Sequence, residues 1–77
     1  MSAKYSAYYT AIGQRIKEYR KVKGLTQEAL AEKASISISY LTKIEAANCD
    51  KSFSLEVIFD IANALEIPFI DLLTDIK

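Results

Sequence analysis

The chain has 77 residues, and its ten basic and ten acidic side chains cancel at neutral pH. This length allows one small domain over residues 1–77, and a hydrophobic content of 51% with only two Gly and one Pro is typical of a folded chain. The absence of His and the single cysteine, Cys49, exclude a His-dependent catalytic site, a disulfide framework and a Cys/His zinc site. No apolar run approaches the ~20 residues of a membrane span, so we expect a cytoplasmic protein.

The neutral total hides a gradient of charge along the chain. Residues 1–23 carry six basic side chains and one acidic one, whereas residues 52–77 carry five acidic side chains and one basic one. One end of the chain could therefore face a polyanion while the other could not. A surface whose sign drifts without functional meaning is the alternative.

The first half of the sequence predicts three helices. A helix of about sixteen residues is indicated by apolar residues at spacings of three and four, namely Tyr9, Ile12, Ile16 and Tyr19, and Gly24 ends it. Thr26 and Ser37 are N-cap residues for two short helices over 27–34 and 38–46.

Two short helices joined by a three-residue turn match the helix-turn-helix motif, here at about residues 26–46. Five positions of this motif must point inward, and Ala31 must be small because the helices cross closely there. The five residues are Leu30, Ala31, Ile36, Leu41 and Ile44.

The second half predicts two further helices. Ser54 caps a fourth helix, whose apolar positions are Leu55, Ile58, Ile61, Ala62 and Leu65. Pro68 suits the first turn of a fifth helix, whose inward stripe is Phe69, Leu72, Leu73 and Ile76. No segment alternates with period two, so we expect no strand and an all-α fold.

The segments IGQRIKEYRKVKGLTQEALAEKASISISYLTKIE and SLEVIFDIANALEIPFIDLL resemble the Cro/repressor helix-turn-helix regulators, also called the xenobiotic-response-element family. The resemblance covers residues 12–73. It implies a five-helix, lambda-repressor-like fold that binds duplex DNA sequence-specifically as a dimer. Small members include restriction–modification controller proteins and phage repressors. Ser35 and Ala47 depart from the pattern, because the family usually has Gly at the first position and often at the second.

The third helix is the expected reading element, because a helix of about eight residues is ~12 Å long and fits the major groove. The candidate base contacts are Ile38, Ser39, Tyr40 and Lys43. Capping by Ser39, solvation of Lys43, packing of Ile38 on the second helix and packing of Tyr40 on its own fold are the alternatives.

The resemblance implies backbone contacts at the start of the second helix, where the helix N-terminus favours a phosphate. The candidate phosphate contacts are Lys23, Thr26, Gln27, Ser37, Asn48, Lys51 and Ser52. Plain capping by Thr26 and Ser37, and simple solvation of the flanking residues, are the alternatives.

The resemblance also places Arg20 against Glu45. Both residues follow inward positions here, and a guanidinium can grip a carboxylate with two parallel hydrogen bonds. Such a pair would lock the reading helix onto the first helix.

A single module reads too few base pairs to stand out in a genome, so we expect a homodimer. The candidate interface is apolar surface of the last two helices, with Phe59, Phe69, Ile70 and Leu73. Packing of Phe59 and Ile70 under the N-terminal tyrosines is the alternative.

Together these features predict a transcriptional regulator that binds a pseudo-palindromic operator as a dimer. We expect no enzyme activity, metal, cofactor, small-molecule ligand or membrane contact. The alternative is an antitoxin or anti-repressor that uses the same fold to bind a protein, which the overall neutrality favours because DNA-binding domains tend to be basic.

Overall fold

The computed structural model describes residues 4–48 and 52–75. This part of the chain forms four α-helices: α1 (Ser6–Val22), α2 (Gln27–Ala34), α3 (Ile38–Ile44) and α4 (Leu55–Leu65). One turn of 3-10 helix (Phe69–Leu72) follows α4, and these residues contain no strand. The prediction of an all-helical fold is confirmed. No helix within the described ranges has the length and apolar character needed to cross a membrane.

Local hydrogen bonds explain where three of the helices begin. Thr26, Ser37 and Ser54 each accept a hydrogen bond from the backbone amide three residues later, at 3.0–3.3 Å. These bonds satisfy one of the amides that the first turn of a helix leaves without a partner. The starts of α2, α3 and α4 therefore follow from single Ser or Thr residues in the sequence.

Left-handed backbone ends several of these helices. Gly24 closes α1 with φ 73°, Ser35 closes α2 with φ 59°, and Glu66 closes α4 with φ 61°. A side chain in this conformation costs ~1–2 kcal/mol, so Ser35 carries a backbone strain that glycine would avoid. Ala47 is not among the described residues with positive φ, so it carries no such strain.

The core lies between all four helices and the 3-10 turn. Its fully buried large side chains are Ile16, Leu30, Leu41, Ile44, Ile61, Leu65 and Leu72. Ala31 and Ala34 are buried where α2 packs against its neighbours. Ile36, in the turn between α2 and α3, is half-buried against the core. Both short helices thus contribute their predicted inward residues to one shared core.

The expected fifth α-helix is wrong in extent. Pro68 is extended and precedes a single 3-10 turn, and Asp75 at φ 65° cannot continue a right-handed helix. One turn can present few inward positions, so Leu72 is buried while Phe69, predicted inward, is 46% exposed. Ile76 lies outside the described residues. The Nη1 atom of Arg15 donates to the Asp71 carbonyl at 2.9 Å and ties this turn to α1.

Candidate nucleic-acid interface

The C-terminal end of α3 lies directly against α1. A Cβ atom on Gly13 would overlap the carbonyl oxygen of Ile44. One residue further along α1, the Nε2 atom of Gln14 donates to the backbone carbonyl of Glu45 at 2.9 Å. Gly13 was not predicted to matter, because its only signal in the sequence is a glycine inside a helical pattern.

A buried ion pair fixes the same end of α3. The Nε atom of Arg20 donates to Oε2 of Glu45 at 2.9 Å, and its Nη2 atom donates to Oε1 at 3.0 Å. Arg20 is 8% exposed and Glu45 is 3% exposed. The remaining nitrogen, Nη1, donates to the carbonyl of Leu25 at 2.8 Å. Planar, bidentate geometry of this kind gives the strong form of the charge-assisted hydrogen bond.

The start of α2 joins this network through Gln27. Its Nε2 atom donates to Oε1 of Glu45 at 3.0 Å, and the residue is half-buried. Gln27 was predicted to contact the DNA backbone, and its hydrogen bond to Glu45 was not predicted. No local pattern signals it, because residues 27 and 45 meet only when both helices are packed.

The opposite face of α3 is open. Ser39 and Lys43 are exposed, and Ile38 is 48% exposed on the first turn. Thr42, which is not among the predicted contacts, is also exposed, and its hydroxyl donates to the Ile38 carbonyl at 2.8 Å. Tyr40 differs from its neighbours because it is half-buried and packs against the core.

Most of the candidate phosphate contacts are also at the surface. The exposed ones are Lys23, Thr26, Ser37, Asn48 and Ser52, and Lys51 lies outside the described residues. Thr26 and Ser37 use their hydroxyl oxygens as acceptors in capping. Each hydroxyl keeps its O–H as a donor, so capping and a phosphate contact are compatible.

An apolar face joins α4 to the 3-10 turn. The rings of Phe59 and Phe69 meet edge to face with centroids 4.9 Å apart, and both residues are exposed, as is Ile70. We call these three residues the aromatic face. Phe59 and Ile70 are therefore not covered as the alternative requires, and the N-terminal Tyr9 meets the ring of Phe53 instead, with centroids 5.0 Å apart.

Leu73 does not belong to the aromatic face in the monomer. It is half-buried and lines a cavity of about 270 Å³ together with residues from α1, α4 and the preceding loop. The cavity is also lined by Tyr5, Tyr8, Tyr9, Ile12, Phe53, Leu55 and Ile58. Leu73, directly after the 3-10 turn, therefore faces the cavity beside α1, whereas Ile70 within the turn is exposed.

The all-helical domain with these short, tightly packed helices is of the Cro/C1 helix-turn-helix class, as the sequence predicts. The chain belongs to the helix-turn-helix family, whose model matches residues 16–72. It is 41% identical over 64 residues to the transcriptional regulator SinR of Bacillus licheniformis, covering 83% of this chain and 57% of that regulator. The chain thus spans little more than half the length of this curated relative.

Solved structures of related proteins show the same fold. The restriction–modification controller protein C.AhdI from Aeromonas hydrophila matches with a TM-score of 0.77 and 36% identity, over 83% of this chain and 94% of that one. SinR in complex with DNA, the master regulator for biofilm formation, matches with a TM-score of 0.74 and 42% identity, over 80% of this chain and 97% of that one.

Proposed function

We propose that this chain is a sequence-specific duplex-DNA-binding transcriptional regulator that reads its operator with α3. The observation that carries this proposal is the contrast between the two sides of α3. One side is held rigidly by the pair of Arg20 and Glu45, and the other side exposes Ser39 and Lys43. The similarity to SinR, solved in complex with DNA, supports the same assignment.

The exposed side of α3 suits the major groove. Seven residues of α-helix are ~10 Å long, which fits a groove ~12 Å wide. Lys43 donates to guanine O6 or N7, Ser39 serves several bases, and Ile38 meets a thymine methyl group. Tyr40 supports the helix from its packed position and touches at most the edge of the DNA.

The start of α2 suits the DNA backbone. Gln27 is the first residue of α2 and Thr26 is its N-cap. The unpaired amides and the positive end of the helix dipole favour a phosphate at this position. Lys23, Ser37, Asn48, Lys51 and Ser52 supply further backbone contacts from the flanking segments, which position the protein without reading sequence.

The aromatic face suits a second copy of the chain. Phe59, Phe69 and Ile70 together expose apolar surface that a folded monomer gains nothing by leaving in water. A two-fold axis through this face sets the two reading helices ~34 Å apart, one turn of DNA. The operator is then a pseudo-palindrome.

A protein-interaction module, such as an antitoxin or anti-repressor, is the second candidate. Two features favour it. The acidic surplus of residues 52–77 would suit a basic partner protein, and the aromatic face offers exposed apolar surface for a contact. In this role the aromatic face would bind another protein, and α3 would contact no DNA.

Selection of bound sites from a random duplex pool separates the two candidates. We expect a consensus site with two-fold symmetry, and an affinity that falls with salt by a log–log slope of ~0.9 per phosphate contact made by Lys or Arg. Recovery of no consensus, with no salt-dependent binding to any duplex, would rule out the regulator and favour the interaction module.

A further inference from the structure

The carboxylate of Glu45 contacts two residues with different tasks. Oε2 accepts a hydrogen bond from Nε of Arg20, and Oε1 accepts one from Nη2 of Arg20 and a second from Nε2 of Gln27. An ionised carboxylate can only accept hydrogen bonds, so the Gln27 amide must present its nitrogen and not its oxygen. The contact therefore fixes which way the amide is turned.

This orientation leaves the Gln27 amide ready to donate. Its nitrogen carries two N–H bonds about 120° apart, and when one points at Glu45 the other points away from it. Gln27 begins α2, where the helix terminus favours an anion. A free glutamine side chain would lose rotamer freedom on binding a phosphate. The contact with Glu45 removes part of that freedom before the phosphate binds.

A bare carboxylate beside a phosphate would repel it. Glu45 avoids this because the Arg20 guanidinium pairs with both of its oxygens and the residue is buried. Arg20 thus neutralises the carboxylate while leaving Oε1 with capacity for the amide.

From this arrangement we infer that Glu45 is a positioning residue for the phosphate contact of Gln27, which couples the reading helix to the backbone anchor. The inference rests on the proposed function, because it assumes that Gln27 meets a phosphate. It predicts that the effect of residue 45 on DNA affinity passes through Gln27.

A double-mutant cycle tests the inference. Kd for the selected duplex is measured for the wild type, Glu45→Gln, Gln27→Ala and the double variant, well below every melting temperature. Glu45→Gln removes the negative charge and one of the two acceptor oxygens, because an amide offers one oxygen and one nitrogen. Glu45→Gln should weaken binding about fivefold, as for one lost hydrogen bond. In the Gln27→Ala background it should change Kd less than twofold.

The sign of the effect separates positioning from bulk charge. On electrostatic grounds alone, removal of a negative charge near the DNA should strengthen binding. Glu28→Gln, an exposed change in the first turn of α2, is the matched control and should strengthen binding or leave it unchanged. Glu45→Gln should do the opposite. Equal weakening in both Gln27 backgrounds would show that Glu45 acts on α3 as a whole and would overturn the inference.

NMR supplies a readout that needs neither DNA nor a folded Glu45 variant. In the free protein, one side-chain amide proton of Gln27 should be shifted downfield and should exchange slowly, with Gln27→Ala identifying the signal. Two protons that exchange like those of a free glutamine would overturn the inference while leaving DNA binding intact. Failure of the wild type to bind any duplex would instead overturn the proposed function.

Discussion

Gly13 lies so close to the backbone of Ile44 that no side chain fits between α1 and α3. The contact involves main chain on both sides, and a backbone carbonyl cannot swing aside as a side chain can. The separation of the two helices is therefore set by the absence of a Cβ atom at residue 13. Because α3 is the proposed reading helix, this contact also sets where its exposed face stands.

Gly13→Ala should destabilise the domain by ~1–3 kcal/mol through overpacking, even though Ala is the better helix former by ~1 kcal/mol. Urea unfolding followed by circular dichroism measures the change. Gly24→Ala gives the cost of backbone strain alone, ~1–2 kcal/mol, because Gly24 has a left-handed backbone and open space around it. A Gly13→Ala variant as stable as the wild type would show that α1 and α3 can separate freely.

Glu45→Ala should cost ~3–5 kcal/mol, since it leaves the buried Arg20 guanidinium without its partner. For a domain of 77 residues, this is a large part of the total stability. Thermal melting measures the effect. The exposed Glu32→Ala is the control and should stay within ~0.5 kcal/mol. Equal melting temperatures for the Glu45→Ala variant and the wild type would reduce the pair to a surface contact.

Ser35→Gly should stabilise the domain by up to ~1 kcal/mol, because glycine adopts φ 59° without a Cβ penalty. The gain is partly offset by the greater freedom of glycine in the unfolded chain. Ser39→Gly, placed inside α3, should instead destabilise by ~0.5 kcal/mol. Denaturant midpoints that move in the same direction for both variants would contradict the role of the left-handed turn.

The elements that the sequence predicted depend on local chemistry. Thr26, Ser37 and Ser54 act on amides only three residues away, so the starts of three helices could be predicted from composition and spacing. The structure of the segment after Pro68 could not be predicted in this way. Whether these residues form an α-helix or one 3-10 turn depends on packing against α1 and α4. Contacts such as Gln27 with Glu45 likewise join residues distant in sequence, and no periodicity encodes them.

Ile70→Asp should break the proposed dimer, because it replaces an exposed apolar side chain of the aromatic face with a charge. Sedimentation at micromolar concentration should show a dimer for the wild type and an 8.6 kDa monomer for the variant. Val22→Asp is the matched control, since Val22 is 79% exposed but lies at the end of α1. A wild-type monomer, or an Ile70→Asp dimer, would remove the aromatic face from the account.

Sequence reading by α3 is tested most directly with the Lys43→Ala variant. Its Kd and that of the wild type are measured for duplexes that carry every single-base-pair change of the selected operator. The wild type should lose ~1–3 kcal/mol on changing the base pair that Lys43 contacts, and the variant should lose that preference while keeping the others. Lys23→Ala, a proposed phosphate contact, should weaken all duplexes alike and lower the salt slope by about one. If Lys43→Ala weakened every duplex by the same factor, or if the wild type showed no base-pair preference, α3 would not be the reading helix.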